Sequence, residues 1–269
     1  MATRPELSAG DTTSWFTSFW YFASVYLKER FGTEWSLSPE QSLQIHSGNM
    51  SVPRQLIIHS PNGKNNKVDL PHGTSFFDFK STMSHSNEVI DKDGLNVYSI
   101  ASAFILCSPT WFSRNPTDAR TALAMVRDSS DVLPLLLKGG HSTIAGRLAG
   151  AFRNIGRPRI ADDIVMAMKS AGYSVREADP FEDSIPSILQ SRETSPYANR
   201  VRLMWHRMRQ TVVDNFPSAP GLPKDAAEYL RQINGLYTSA AYHSLSIEGY
   251  RVSEERMEKV SKGKWTPDR

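Results

Sequence analysis

Residues 55–79, Q-L-I-I-H-S-P-N-G-K-N-N-K-V-D-L-P-H-G-T-S-F-F-D-F, decide the fold class, because they are the β-forming stretch of a chain that otherwise reads largely as helix. Gln55 to His59 and Val68 to Leu70 are strand-like runs on either side of Pro61-Asn62-Gly63-Lys64-Asn65-Asn66. Asn-Gly between two such runs predicts a hairpin. Further strands are expected at Ser75 to Phe79 and Leu95 to Tyr98, which makes a small antiparallel sheet.

Upstream of this stretch, Asp11, Thr12 and Thr13 offer N-cap oxygens to a helix carrying the aromatic stripe Trp15, Phe19, Phe22 and Tyr26, with Gly32 ending it. Ser38-Pro39-Glu40-Gln41 combines a capping serine, proline at the first helical position and a glutamine placed to close a capping box. This second helix is expected to stop at Gly48. Two helices followed by a hairpin is the order of a winged helix, with Pro39 to His46 as the recognition helix and Asn62-Gly63 as the wing.

Downstream, Ser99 to Leu106 is expected to be helical, and from Pro116 onward helices are separated by glycine and proline. Thr143 to Ile155 places Ile144, Leu148, Phe152 and Ile155 on one face, and Gly146 and Gly150 offer close approach to a neighbouring helix. Pro158 to Ala171 repeats the design with Ile160, Ile164, Met168 and Ala171, predicting a helix hairpin across Gly156-Arg157-Pro158. Glu177 to Pro196 is rich in proline, acid and serine and reads as a linker. Tyr197 to Phe216 then predicts a helix burying Val201, Met204, Trp205, Met208 and Val212 and exposing Arg200, Arg202, Arg207 and Arg209. A long helix from Asp225 to Ile247 follows, and Ser253 caps a last charged helix. The expected class is therefore α+β, mostly α: a winged-helix-like region at 1–110, a helical region at 111–176, a linker at 177–196 and a helical arm at 197–269.

The composition bounds the function. With 39% hydrophobic residues in 269 the chain can build a real core, and a net charge of +3 is too small to argue for nucleic acid by itself. The single cysteine, Cys107, lies in an apolar run, cannot form an internal disulfide, and reads as a buried small hydrophobe in a reducing compartment. Trp15 to Leu27 is too short to span a bilayer and no secretory signal is evident, so a cytoplasmic protein with no membrane partner is expected.

No enzyme motif is complete: phosphate loops, paired zinc cysteines, H-E-x-x-H, G-x-S-x-G and G-x-G-x-x-G are all missing from the sequence. Arg54, Lys64, Asn65 and Lys67 would decorate the wing and touch phosphates, or simply form a solvated tip. Arg147, Arg153, Arg157 and Arg159 flank the helix hairpin as a phosphate-facing patch or, since Asp162 and Asp163 dilute them, as an ordinary surface, which is the favoured reading. Near the C-terminus, Y-H-S-L-S-I-E-G-Y-R-V-S from Tyr242 to Ser253 sets Ser244 one helical turn before Glu248, with Gly249 as the helix stop. A carboxylate at a helix C-terminus is unfavourable by a few tenths to about 1 kcal/mol unless a cation answers it.

The run S-L-S-I-E-G from Ser244 to Gly249 resembles the inhibitory motif of Fic-family proteins, which transfer AMP from ATP to protein hydroxyls. Asn115 to Met125, Gly139 to Arg157 and Phe216 to Pro223 resemble the N-terminal part of bacterial Fic proteins that carry a winged-helix-like segment similar to AbiEi-type antitoxins. The chain departs from the family in lacking its catalytic motif, a histidine, phenylalanine and acid followed by G-N-G-R and a second arginine. At His141 the run Ser-Thr-Ile-Ala-Gly-Arg has neither the acid nor that turn. The resemblance implies a regulatory module with no catalytic residue and no cofactor of its own. ATP and Mg would belong to a Fic core supplied in cis by the same polypeptide or in trans by a partner. Glu248 is then expected to pair with the second arginine of that core and occupy the space of the ATP γ-phosphate, with Ser244 fixing its rotamer and Gly249 turning the chain away. The alternative is an AbiEi-type DNA-binding regulator or antitoxin; a third option is a protein-interaction scaffold in which Glu248 only ends a helix.

Overall fold

The computed structural model describes residues 12–82, 88–181, 189, 195–218, 221, 225–247 and 253–264. The chain divides into two compact units, Met1–Thr211 and Val212–Arg269. Among the described residues the fold is α+β and mostly α, with a four-stranded and a two-stranded sheet, and no helix is long and apolar enough to cross a membrane.

In the first unit, α1 (Thr12–Phe31) packs on the larger sheet through Trp15, Phe19, Ala23, Leu27 and Phe31, a row spaced by four residues. Phe22 and Tyr26, expected in that row, lie beside it and meet Phe76 at ring distances of 6.0 and 5.5 Å. The indole of Trp15 donates to Thr74 Oγ1 (3.2 Å), and Gly32 ends the helix at φ +62. After the short strand β1 (Ser36–Leu37), Ser38 caps α2 (Pro39–His46) by accepting from the Gln41 amide. The reciprocal half of the capping box is not made, since the Ser38 amide donates to the Ile57 carbonyl (3.0 Å).

The sheet corrects the expected hairpin. The strands β2 (Gln55–Ser60) and β3 (Asn66–Asp69) flank β4 (Ser75–Lys80) in the order β1-β2-β4-β3, with β2 parallel and β3 antiparallel to β4. Residues 61–65 therefore do not fold back in a two-residue turn; they cross the end of β4. Gly63 makes this possible, because a Cβ there would lie 2.8 Å from the Phe79 carbonyl. Asp78 holds the crossing in place: its carboxylate accepts from the Lys64 (3.1 Å) and Asn66 (2.8 Å) amides and pairs with Arg30. The strand order follows burial. The strand carrying Phe76 and Asp78 takes the interior, and the polar N-K-V-D strand goes to the edge. A true hairpin forms instead between β5 (Val89–Lys92) and β6 (Leu95–Tyr98), where Asp93 and Gly94 both take positive φ.

Asp78 is thus a buried acid whose donors include two backbone amides and a guanidinium. Asp78→Ala leaves these unpaired and is expected to cost the folded state about 2–4 kcal/mol, read as a lowered urea midpoint; a loss under about 0.5 kcal/mol contradicts this role.

The helices α3 (Ile100–Leu106), α4 (Trp111–Arg114), α5 (Pro116–Met125), α6 (Leu133–Lys138), α7 (Ser142–Asn154) and α8 (Pro158–Ser170) build a second core. The predicted faces of α7 and α8 hold: Leu148, Phe152, Ile155, Ile160, Ile164 and Met168 are buried, while Ala171 is exposed. Cys107 is buried here, and burial pushes its thiol pKa up to about 12, so it packs rather than reacts. Gly146 and Gly150 do permit a close approach, but by an extended segment instead of a helix. Their missing Cβ atoms would stand 2.0 Å from the Arg176 carbonyl oxygen and 2.3 Å from that of Ala178. The Ala178 amide donates to the Gly146 carbonyl (3.1 Å), and Phe181 follows into the core.

The helix α9 (Pro196–Asn215) overturns its predicted burial. It is held by Asn199 and Leu203, both buried, and by the pair of Arg200 with Asp118, which also accepts from Asn49 Nδ2 (2.8 Å). Val201, Met204, Trp205, Met208 and Val212 are exposed. The ion pair and Leu203 fix only the first turns of the helix, and every residue from Met204 to Asn215 is exposed.

In the second unit, Asp225 accepts from the Ala227 and Glu228 amides to start α10 (Ala226–Ile247), and Ser253 caps α11 (Glu254–Ser261), as expected from the sequence.

Candidate functional site

The four wing residues do not form one tip. Arg54 precedes β2 and Lys64 follows it, so they sit at opposite ends of a strand about 20 Å long. Asn65 takes φ +57 and its side-chain carbonyl accepts from the Lys80 amide (2.9 Å), a structural task. Lys67 pairs with Asp69 at 2.6 Å on the exposed edge strand. The expected recognition helix is also corrected. Pro39, Gln41, Ser42, Leu43, Ile45 and His46 of α2 are buried, and His46 donates to the Tyr98 carbonyl (2.8 Å). A helix wedged between a sheet and a second core has no free face for a groove. Burial also holds the His46 pKa below its ordinary value.

At the other end of the chain, Ser244 lies exposed in the last turn of α10, a turn with no basic residue. Glu248 and Gly249, the rest of the predicted inhibitory motif, lie outside the described residues.

The arginines weighed as a diluted patch separate into different roles. Arg153 is claimed by Glu177 (2.7 Å) and Asp162 (2.8 Å), which raise its pKa while it lowers that of Glu177. Arg157 donates to the Val126 carbonyl. Arg147 has neither. Its guanidinium lies over the Phe112 ring at 5.7 Å, its Nε is buried without a hydrogen bond, and burial pulls its pKa down.

Arg147 opens into a cleft of about 580 Å³ between the start of α7 and the extended segment that crosses it. Ser142, Thr143 and Arg176 also line the cleft, with Pro109 and Pro180 as apolar wall. Its one carboxylate, Asp179, is already engaged by Asn154 Nδ2 (2.8 Å) and the Phe181 amide (3.0 Å). Asn154 in turn accepts from Arg120, which is buried against the Phe181 ring at 4.2 Å. The sequence signal for this cleft was an arginine beside the apolar face of α7, within the Gly146 and Gly150 pair. Comparisons of the chain with protein-family models, with curated proteins and with solved structures find no match.

Proposed function

We propose that this chain is a regulatory module for a Fic-type adenylyltransferase core, acting through Glu248 on the core's phosphate-binding loop. The supporting observation is the described part of α10, which is helical from Ala226 to Ile247, with Ser244 exposed and no basic residue in its last described turn. With Gly249 read from the sequence as the helix stop, the Glu248 carboxylate meets the partial negative charge of a helix end and gains from an external cation. The second arginine of a Fic core supplies that cation in a charge-assisted pair. The pair occupies the γ-phosphate space, so ATP binds in a pose unsuited to in-line attack. ATP and Mg belong to the core. Exposed apolar side chains on α9 and α10, among them Trp205, Leu230 and Leu236, are consistent with a chain that works against a protein partner. DNA binding has no comparable support, since α2 is buried and the Asn62-Gly63 wing is not formed.

Titrating the chain into a purified Fic core is expected to lower AMP transfer to a protein hydroxyl in a saturable way. A rate that does not change at large excess of the chain overturns the reading.

A further inference from the structure

We propose that the cleft at the start of α7 binds a small organic phosphate, with Arg147 as its principal contact. The cleft is rich in donors and poor in free acceptors. Among the described residues, the side chains of Arg147, Arg176, Ser142, Thr143 and Ser174 make no hydrogen bond or ion pair, whereas Asp179 already has two donors. Five unengaged donor side chains around one cavity match a ligand that only accepts. An ionised phosphate is such a group, with several oxygens to share between a planar guanidinium and two hydroxyls.

Arg147 carries the argument beyond surface charge. Its neighbours Arg153 and Arg157, at six and ten residues' distance, are satisfied by protein groups, while Arg147 is half-buried with its Nε shielded from solvent and unpaired. With the Nε closed off, an anion in the cleft meets the remaining guanidinium N–H groups, which line it and have no protein acceptor among the described residues. The aromatic face of Phe112 under the guanidinium fixes its plane without using its N–H groups. The first turn of α7 adds to this: Ser142 and Thr143 line the cleft, and the N-cap residue, His141, makes no side-chain capping bond.

The volume selects the size of ligand. About 580 Å³ is far more than inorganic phosphate needs and falls in the range of small-molecule sites. The phosphoryl group then sits at Arg147, Ser142 and Thr143, and the organic body lies along Pro109 and Pro180. The glycine pair is what creates the far wall, since only glycine at 146 and 150 lets the backbone of 176–178 lie directly on α7. This inference is independent of Glu248 and stands or falls separately from the regulatory reading.

The test is a titration of the full ¹⁵N-labelled chain with ribose 5-phosphate, inorganic phosphate, ribose and acetate, followed by amide and arginine Nε shifts. Ribose 5-phosphate is expected to give saturable shifts at Thr143, Ile144 and Arg147 Nε, several-fold tighter than inorganic phosphate, with ribose and acetate weaker still. Arg147→Gln is expected to weaken binding at least about tenfold, the loss of a charged hydrogen-bonding partner. Should that variant misfold, Thr143→Val and Arg176→Gln, both at exposed positions, decide the matter, and several-fold weakening is expected in each. Unchanged affinity in Arg147→Gln, or in both exposed variants, overturns the site. So do shifts that rise linearly without saturating, shifts equally large at Arg54 and Lys64, or acetate binding as tightly as phosphate.

Discussion

Glu248→Gly is expected to raise AMP transfer by a Fic core under the control of this chain about tenfold to a hundredfold. The magnitude follows from the interaction removed. A hydrogen bond to a charged partner contributes about 1.5–3 kcal/mol, and each ~1.4 kcal/mol is a factor of ten. The inhibited state loses that amount relative to the state with ATP in its productive pose. A second measurement separates inhibition from general damage. With Gly249 read from the sequence as the helix stop, removing the acid relieves a repulsion of a few tenths to about 1 kcal/mol, which offsets a glycine cost of similar size, so the variant chain alone should be about as stable as the parent. Activation together with an undiminished melting temperature is therefore the expected signature. Glu248→Gln, which keeps the shape and removes the charge, should fall between the two. Unchanged auto- and target modification in Glu248→Gly would remove the inhibitory role even if the chain still binds the core.

The sequence made the helices legible where the signal is local. Ser38, Ser253 and Gly32 cap and end helices as their chemistry requires, because a cap needs only neighbours within one turn. The apolar faces of α7 and α8 were equally readable from their periodicity. Asn62-Gly63 misled because turn propensity says how a chain can bend and nothing about which strand the sheet's interior needs. Here Phe76 and Asp78 claim the interior, and the polar strand is displaced to the edge beyond them. Asp93-Gly94, with the same chemistry and two short strands of matching length, does make the hairpin. On α9 the apolar stripe predicted a buried face that is not formed: only Asn199 and Leu203, beside the Arg200 and Asp118 pair, are buried, and the stripe stays exposed. The cleft was illegible for a similar reason. Whether an arginine is engaged depends on partners far along the chain, and Glu177 and Val126 answer Arg153 and Arg157 while nothing described answers Arg147.

Gly146→Ala is expected to destabilise the first unit by about 1–3.5 kcal/mol and to abolish ligand binding in the cleft. The added Cβ falls 2.0 Å from the Arg176 carbonyl oxygen, well inside contact distance, and the obstacle is backbone, so no rotamer change relieves it. Segment 174–180 must lift away from α7. That breaks the bond from the Ala178 amide to the Gly146 carbonyl, worth about 0.5–1.5 kcal/mol. It also draws Phe181 from the core and from its contact with Arg120, where burial of a large side chain contributes about 1.5–3 kcal/mol. Better helix propensity of alanine returns only about 1 kcal/mol. Gly150→Ala meets the same segment at Ala178, so the two substitutions should not add: once one has lifted the segment, the other costs little. Urea unfolding of the two single variants and the double variant reads this directly. A Gly146→Ala variant stabilised by about 1 kcal/mol, the outcome for an exposed helix glycine, would show that the segment does not lie across α7. The cleft would then have no far wall, and Arg147 would be an ordinary solvated cation.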